Sequence, residues 1–348
     1  MDIPQLDIIV PQYKETEAQI RKLLDSIQSQ IGFDFRIIKV TIVNDASDVL
    51  LSKEFLDHYT FEINYIRREE NGGPGLTRQT GIDNTNYELF MFIDADDLLF
   101  SNITLVEIYK HILSNMNRKW AVLSTQWLEE NTVNGYVFVP HQSNMVWTHG
   151  KIYNREWIEK KGIRFHDKLR LFEDMYFNKQ VVLSCAENEH LYTDAITYLW
   201  MSNPESLTRK GSAEKAYLWT YSDDFIYSAD EVMKRLTELE VPRRHEIIIN
   251  SIALYYYVLQ TSSFLDDSEE TKEKIQKIRK TAYDLIIKYE SSFKESSIVN
   301  RAGYINAARN EAMNHFGFNV ELITWNDWIK DLDRDFGKDN SAYNIAKM

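Results

Sequence analysis

The sequence predicts an α/β domain, a mostly parallel sheet sandwiched by helices, followed by an α-helical carboxyl-terminal region. Three observations lead there. Strand and helix patterns alternate over the first hundred residues, the rhythm that builds a parallel sheet with helices on both faces. The strand segments are short unbroken apolar runs, such as Leu89 to Ile93, as expected where both faces are covered. After Pro204 the spacing changes to long helical periods.

Taken in order, Leu6 to Val10 reads as a buried strand stopped by Pro11, and Glu15 to Gln28 as a helix with apolar positions at Ile20, Leu23, Leu24 and Ile27. Ile37 to Val43 is a second strand, Ser52 to Tyr59 a helix, and Glu62 to Ile66 a third strand. A glycine-rich turn then leads into a helix from about Pro74, and the run Leu89 to Ile93 follows. Ser101 to Leu113 reads as a helix. Up to Met201 the pattern is mixed, with strands near Trp120 to Trp127, Tyr136 to Pro140 and Ile196 to Trp200, and a helix carrying Glu173 and Asp174 before the last. Helices are expected over Glu214 to Leu239, Arg244 to Leu259 and Glu269 to Tyr289, with a shorter set to Asp335. The boundary falls near residues 204 to 212, giving an α/β domain over 1–208 and a helical one over 209–348.

Composition fits a globular chain: 348 residues, 44% hydrophobic and 13% aromatic, are enough for a substantial core. The lone Cys185 excludes an internal disulfide framework and fits a reducing compartment. The start lacks signal-peptide regions, and the apolar stretch Ile247 to Leu259 is too short to span a bilayer, so a cytoplasmic protein without a transmembrane segment is expected. A formal charge of −13, from 53 acids against 40 bases, works against polyanion binding by bulk electrostatics.

Chemistry concentrates at predicted strand ends, where ligands bind in parallel α/β sheets. The run "YELFMFIDADDLLF" delivers Asp94, Asp96 and Asp97 directly from a buried strand. If the chain stays extended through Asp96, Asp94 and Asp96 share one side, and two anions that close call for a cation between them. A cap on the following helix needs only one carboxylate. "VNDAS" ends the second strand, where Asn44, Asp45 and Ser47 also suit an Asx-turn or a helix cap. "NGGPGLTRQTGI" offers close backbone approach and free helix N–H groups to a phosphate. In "FEDMYF", Glu173 and Asp174 open a helix beside Phe172 and Met175; acids are favoured there electrostatically, and apolar neighbours raise a carboxyl pKa toward useful basicity.

In this order, "IIVPQYKE", "VNDAS", "NGGPGLTRQTGI", "FIDADD" and "FHDKLRLFEDMYF" resemble the family-2 inverting glycosyltransferases with the GT-A fold, over roughly residues 5 to 210. The resemblance implies a metal-dependent enzyme, a hexosyl- or N-acetylhexosaminyl-transferase, that moves one sugar from a nucleoside-diphosphate sugar to an acceptor hydroxyl. It implies that Asp45 accepts a hydrogen bond from the donor base, uracil by preference, with Pro11 and Tyr13 walling the base and Glu15 beside them. Asp96 would ligate Mn²⁺ or Mg²⁺, Asp94 would contact ribose or metal, Ala95 would belong to the donor site, and Asp97 would support it. Arg78 would contact donor phosphate or these aspartates, or form a structural salt bridge. Asp174 would be the general base and Glu173 an orienting acid, with His149 and Lys151 of "HGKIYNREWI" on the acceptor side. Arg209 or Lys210 in "SNPESLTRKGS" would pair with the diphosphate, or form a solvated basic turn. The chain departs from the family pattern in having Thr77 where alanine is common and Gln79 where asparagine is common. The Gln-x-x-Arg-Trp signature of processive polysaccharide synthases is absent.

The acceptor stays open among a glycan, a wall polymer, a protein and a modified nucleobase. Two other readings stand beside this one: a non-catalytic sugar-nucleotide-binding scaffold acting through its helical region, and a nucleotidyltransferase, which would carry a glycine- and lysine-rich loop where this chain has "PQYKE". In the helical region, Trp219, Tyr255 to Tyr257, Trp325 and Trp328 suit an acceptor groove or a homo-oligomer interface, although aromatics at helical spacing are more often core.

Overall fold

The computed structural model describes residues 3–131, 137–203, 221–242, 244–259, 268–316 and 324–337. It divides into two compact units, Met1–Pro204 and Glu205–Met348.

The first unit is a nine-stranded mixed sheet. Strands β1 (Leu6–Gln12), β2 (Ile38–Asn44), β3 (Glu62–Arg67) and β4 (Leu89–Phe92) form its parallel part in the order β3-β2-β1-β4. Next to β4 lies β8 (Lys151–Asn154), antiparallel, then β6 (Val122–Asn131), also antiparallel to β8. Strand β9 (His190–Trp200) runs parallel to β6, the short β5 (Leu98–Leu99) closes that edge, and β7 (Val137–His141) pairs with β6. These directions place the ends of β1, β2, β4 and β9 and the start of β8 at one edge of the sheet.

Alternation along the strands splits the core between two faces. Leu6, Ile8, Val10, Leu89 and Met91 pack with Ile20, Leu23, Leu24 and Ile27 of α1 (Glu17–Gln28) and with Leu105, Ile108 and Ile112 of α4 (Thr104–Ser114). Ile9, Phe90 and Phe92 face the other way, with Ile82 of α3 (Gly73–Asn84), Trp157 and Ile158 of α5 (Arg155–Lys160), and Phe177 and Val181 of α6 (Glu173–Ser184). The expected helix Ser52 to Tyr59 is a single turn, α2 (Lys53–Leu56), capped by the Ser52 side chain.

Two expectations need correction. Pro11 does not stop β1, which pairs with β2 through Gln12. Ile9, of the same parity as Pro11, accepts from Ile93 on the β4 side, and the β4 register ends at Ile9 opposite Phe92. The missing Pro11 N–H therefore points where no ladder continues, which is where a strand tolerates proline. The chain also does not stay extended through Asp96: the Asp97 N–H donates to the Asp94 carbonyl at 3.0 Å, closing a tight turn.

The second unit is helical over Ser222–Glu238, Arg244–Leu259, Glu269–Lys288, Glu290–Glu295, Ile298–Phe316 and Trp325–Phe336. The helix 244–259 packs against those at 222–238, 269–288 and 298–316. Tyr255 and Trp328 are buried within it, as core residues. Among the described residues, no helix is long and apolar enough to cross a membrane.

Candidate active site

At the edge where the strand ends meet, three residues other than glycine adopt left-handed backbone: Lys14 after β1 (φ 73°), Ala46 after β2 (φ 57°) and Phe172 before α6 (φ 58°). Such conformations cost of order 1–3 kcal/mol each and persist where the surroundings hold them. Each turns the chain at a point where acids or polar groups gather.

After β1, Glu15 accepts from the Tyr13 N–H at 2.5 Å. Burial, then the charges of Asp96 and Asp94, push its carboxyl up to about 7. Pro11 is half-buried and Tyr13 exposed beside it. After β2, Asn44 Oδ1 accepts from the Ser47 N–H at 2.7 Å, three residues on, the contact of a cap rather than of an Asx-turn. Asp45 is buried and reaches the glycine-rich turn: Oδ1 accepts from Arg68 at 2.5 Å and from the Gly72 N–H at 2.9 Å, and Oδ2 from the Gly73 N–H at 2.7 Å. The carboxylate thus ties the entry of α3 to the end of β2.

The turn after β4 separates its three acids. Asp94 takes one Arg78 nitrogen at 2.7 Å, and its other oxygen lies 3.9 Å from His149 Nε2. Burial alone would raise the Asp94 carboxyl, but Arg78 and His149 outweigh it and hold it well below the ordinary range. Asp97 is buried, accepting from the Tyr198 hydroxyl and, at 2.8 Å, from the Met201 N–H; burial and the charges of Asp94 and Asp96 drive its pKa far up. Asp96 accepts from Asn203 Nδ2 at 2.7 Å. Ala95 is buried in the core. Among the described residues, Asp94, Asp97 and His149 form a group whose ligand atoms all lie within 4.8 Å of one another.

His149 reaches this cluster because β8 runs antiparallel to β4, setting the residues before β8 beside those after β4. Its ring stacks on Tyr198 with centroids 4.5 Å apart, and Trp127, Trp147 and Trp200 surround it. Burial lowers its pKa, and its Nδ1 has no hydrogen-bond partner among the described residues. Lys151 is buried, donates to the Trp147 carbonyl, and is pushed down to about 7 by burial against the pull of Asp174.

At the start of α6, Glu173 accepts from the second Arg78 nitrogen at 2.9 Å. Burial and the Asp174 charge outweigh that guanidinium and push Glu173 up to about 7. Asp174 is half-buried; its Oδ1 accepts from the adjacent Met175 N–H at 2.7 Å, and burial raises its pKa. Gly75 makes the approach of α3 and α6 possible, since a Cβ there would stand 2.9 Å from Glu173 Cγ. Arg78 thus joins the acidic turn after β4 to the acids of α6 through one buried guanidinium.

Arg209, Lys210 and Trp219 lie outside the described residues. The sequence reading did not single out Arg68, Tyr198, Asn203 or Arg170, whose guanidinium holds Asn71 at 2.6 and 2.9 Å. Arg68 stands one residue past β3, so the strand-end rule that found Asp45 and Asp94 was the available signal for it.

Residues 7–162 match the family model described as glycosyl transferase family 2. Glycosyltransferase GlyA of Streptococcus pneumoniae serotype 4 is 24% identical over 380 aligned residues, covering 97% of this chain and 51% of that protein. The uncharacterised glycosyltransferase EpsJ of Bacillus subtilis is 27% identical over 227 residues, covering 59% of this chain and 63% of its own length. The chain therefore spans less than two thirds of the length of either curated relative. Among solved structures, S. aureus TarS 1–349 in complex with UDP-GlcNAc superposes with a TM-score of 0.64 at 18% identity, over 91% of this chain and 93% of that one. Family match and shared architecture agree: residues 7–162 carry a glycosyl transferase family 2 domain, and the amino-terminal unit that contains it has the GT-A fold.

Proposed function

We propose that this chain is a metal-dependent inverting glycosyltransferase that moves one sugar from a UDP-sugar to an acceptor hydroxyl. The observation that carries the reading is the double pairing of Arg78, which sets the acidic turn and the α6 acids around one site at the edge of the sheet. Asp174 acts as the base: one of its oxygens is held by its own helix, and its raised pKa makes it a better proton acceptor than an ordinary aspartate. Glu173, held by Arg78, orients the site. The acceptor oxygen attacks the anomeric carbon as Asp174 takes its proton, and the bond to the diphosphate breaks in the same displacement. In this reading Asp45 meets the base of the donor, and the choice of uracil follows the UDP-GlcNAc bound in TarS.

The donor set fits a hard divalent cation, Mn²⁺ or Mg²⁺. Two carboxylates and an imidazole offer ligand atoms within 4.8 Å of one another, and Asp97 is raised first by burial and then by the charges of Asp94 and Asp96, which a cation would offset. Asp94, Asp97 and His149 would hold the ion, with Asp96 of the same turn beside them. When bound, it supplies positive charge to the departing diphosphate. The test is release of nucleoside diphosphate from a panel of nucleotide-sugars. Turnover of one UDP-sugar that stops in EDTA and returns with Mn²⁺ or Mg²⁺ is expected. Turnover unaffected by EDTA removes the metal from the mechanism. Nucleotide binding without turnover of any donor or acceptor favours the scaffold reading.

A further inference from the structure

Arg68 extends the β3 pairing past its last residue, its N–H donating to the Asn44 carbonyl at 2.9 Å. Its guanidinium then turns to the carboxylate of the next residue, Asp45, at 2.5 Å. Gly72 permits this: a Cβ there would stand 2.3 Å from the Arg68 Nη1. The pair is largely enclosed, with side-chain exposures of 18% for Arg68 and 4% for Asp45.

The bonds are distributed unequally over the carboxylate. Oδ1 accepts twice, from Arg68 and from the Gly72 N–H, whereas Oδ2 accepts once, from the Gly73 N–H. An ionised carboxylate offers about two lone-pair directions on each oxygen. Oδ1 is therefore filled, and one direction on Oδ2 has no partner among the described residues.

We propose that Arg68 is a positioning residue for nucleobase recognition: with the two glycine amides it locks Asp45 so that a single Oδ2 lone pair meets the imide N–H of a uracil-type base. The inference rests on the reading that Asp45 faces the donor base. Uracil carries a hydrogen on N3 and cytosine carries a lone pair there, so an oriented carboxylate accepts from the first and repels the second. The ratio of UDP to CDP affinity therefore reports how Asp45 is aimed. A general loosening of the fold lowers both affinities together and leaves the ratio alone.

The experiment measures displacement of a fluorescent UDP analogue by UDP and by CDP, on the full chain and its Asp45→Ala, Arg68→Ala and Arg68→Lys variants. Asp45→Ala and Arg68→Ala should each lower the UDP-to-CDP affinity ratio by about tenfold, the scale of one charged hydrogen bond. Arg68→Lys should restore most of it, because a single nitrogen of Arg68 reaches Asp45. If Asp45→Ala changes the ratio and Arg68→Ala does not, the positioning role is overturned while the base reading stands. An unchanged ratio in Asp45→Ala sinks the base reading, and the role of Arg68 with it. Equal losses of UDP and CDP in Arg68→Ala, unrescued by lysine, reduce Arg68 to a structural residue and overturn the proposal.

Discussion

Replacing Asp174 by asparagine separates chemistry from binding. Asparagine keeps nearly the same shape, and its carbonyl oxygen can still accept the Met175 N–H that Asp174 holds at 2.7 Å, so the first turn of α6 should survive. What it loses is the ability to take a proton. A positioned base contributes roughly 10²- to 10⁴-fold to such a step, or about 2.7 to 5.5 kcal/mol of barrier. That loss should fall on kcat, with UDP affinity retained, because neither Asp45 nor the acidic turn is touched. Stability supplies an independent control. The folded-state pKa of Asp174 is raised, first by burial, so its stabilising contribution is fully present below the ordinary aspartate value of 3.8 and is lost as pH rises through the raised value. At pH 8 the asparagine variant should accordingly resist urea at least as well as the parent, and that advantage should vanish in acid. In the parent enzyme, kcat/KM should fall with decreasing pH at a point above 3.8, because only the ionised carboxylate accepts a proton. The assay is steady-state transfer to the acceptor, with calorimetry of UDP binding and urea melts at both pH values. A variant that folds, binds UDP and turns over at the parent rate would show that the base lies elsewhere, with Glu173→Gln the next change to make.

Other changes probe the supports of the site. Gly75→Ala should lower stability by about 1–3 kcal/mol, the usual cost of overpacking, because the added methyl meets Glu173 Cγ at 2.9 Å; an unchanged urea midpoint would mean that α3 and α6 separate freely. Arg78→Lys replaces a fork with a point charge that cannot serve Asp94 and Glu173 together. Its expected destabilisation, about 3 kcal/mol for a broken buried pair, should accompany lost transfer, and parent-like denaturation would contradict the pairing. Asp97→Asn should weaken Mn²⁺ binding by about tenfold, because the amide keeps an oxygen but loses the negative charge that favours a hard cation. Titration calorimetry beside Asp96→Asn decides which acid of the turn holds the ion, and full Mn²⁺ affinity in Asp97→Asn removes it from the ligand set.

What could be read from the sequence follows how local each interaction is. The strands ending at Asn44 and Phe92 announce themselves through apolar runs, so Asp45 and Asp94 were legible as edge residues. The parity of Pro11 within its ladder was not, because it depends on where the neighbouring β4 ends. Nor was the turn at Asp94 to Asp97, which ends the extended strand and brings Asp97 and His149 to Asp94. The partnership of Asp97 with Tyr198 spans 101 positions and follows from β9 arriving at the same edge. No pattern within either segment encodes that meeting. Arg68 was overlooked because a basic residue in the run Arg67-Arg-Glu-Glu70 reads as solvated surface until its contact with Asp45 is seen.

The shared guanidinium of Arg78 has a consequence for altering this protein. Asp94 and Glu173 lie on different elements, yet each experiences the other's charge through the same cation, which Asp174 also feels. Energies of substitution at these acids should therefore not add: neutralising Asp94 leaves Arg78 wholly to Glu173, lowering its pKa, and neutralising Glu173 tightens the hold on Asp94. Laboratory selection for a new leaving group and selection for a new nucleophile would act on the same electrostatic variable. A change made for one will shift the optimum of the other, so the two preferences have to be selected together.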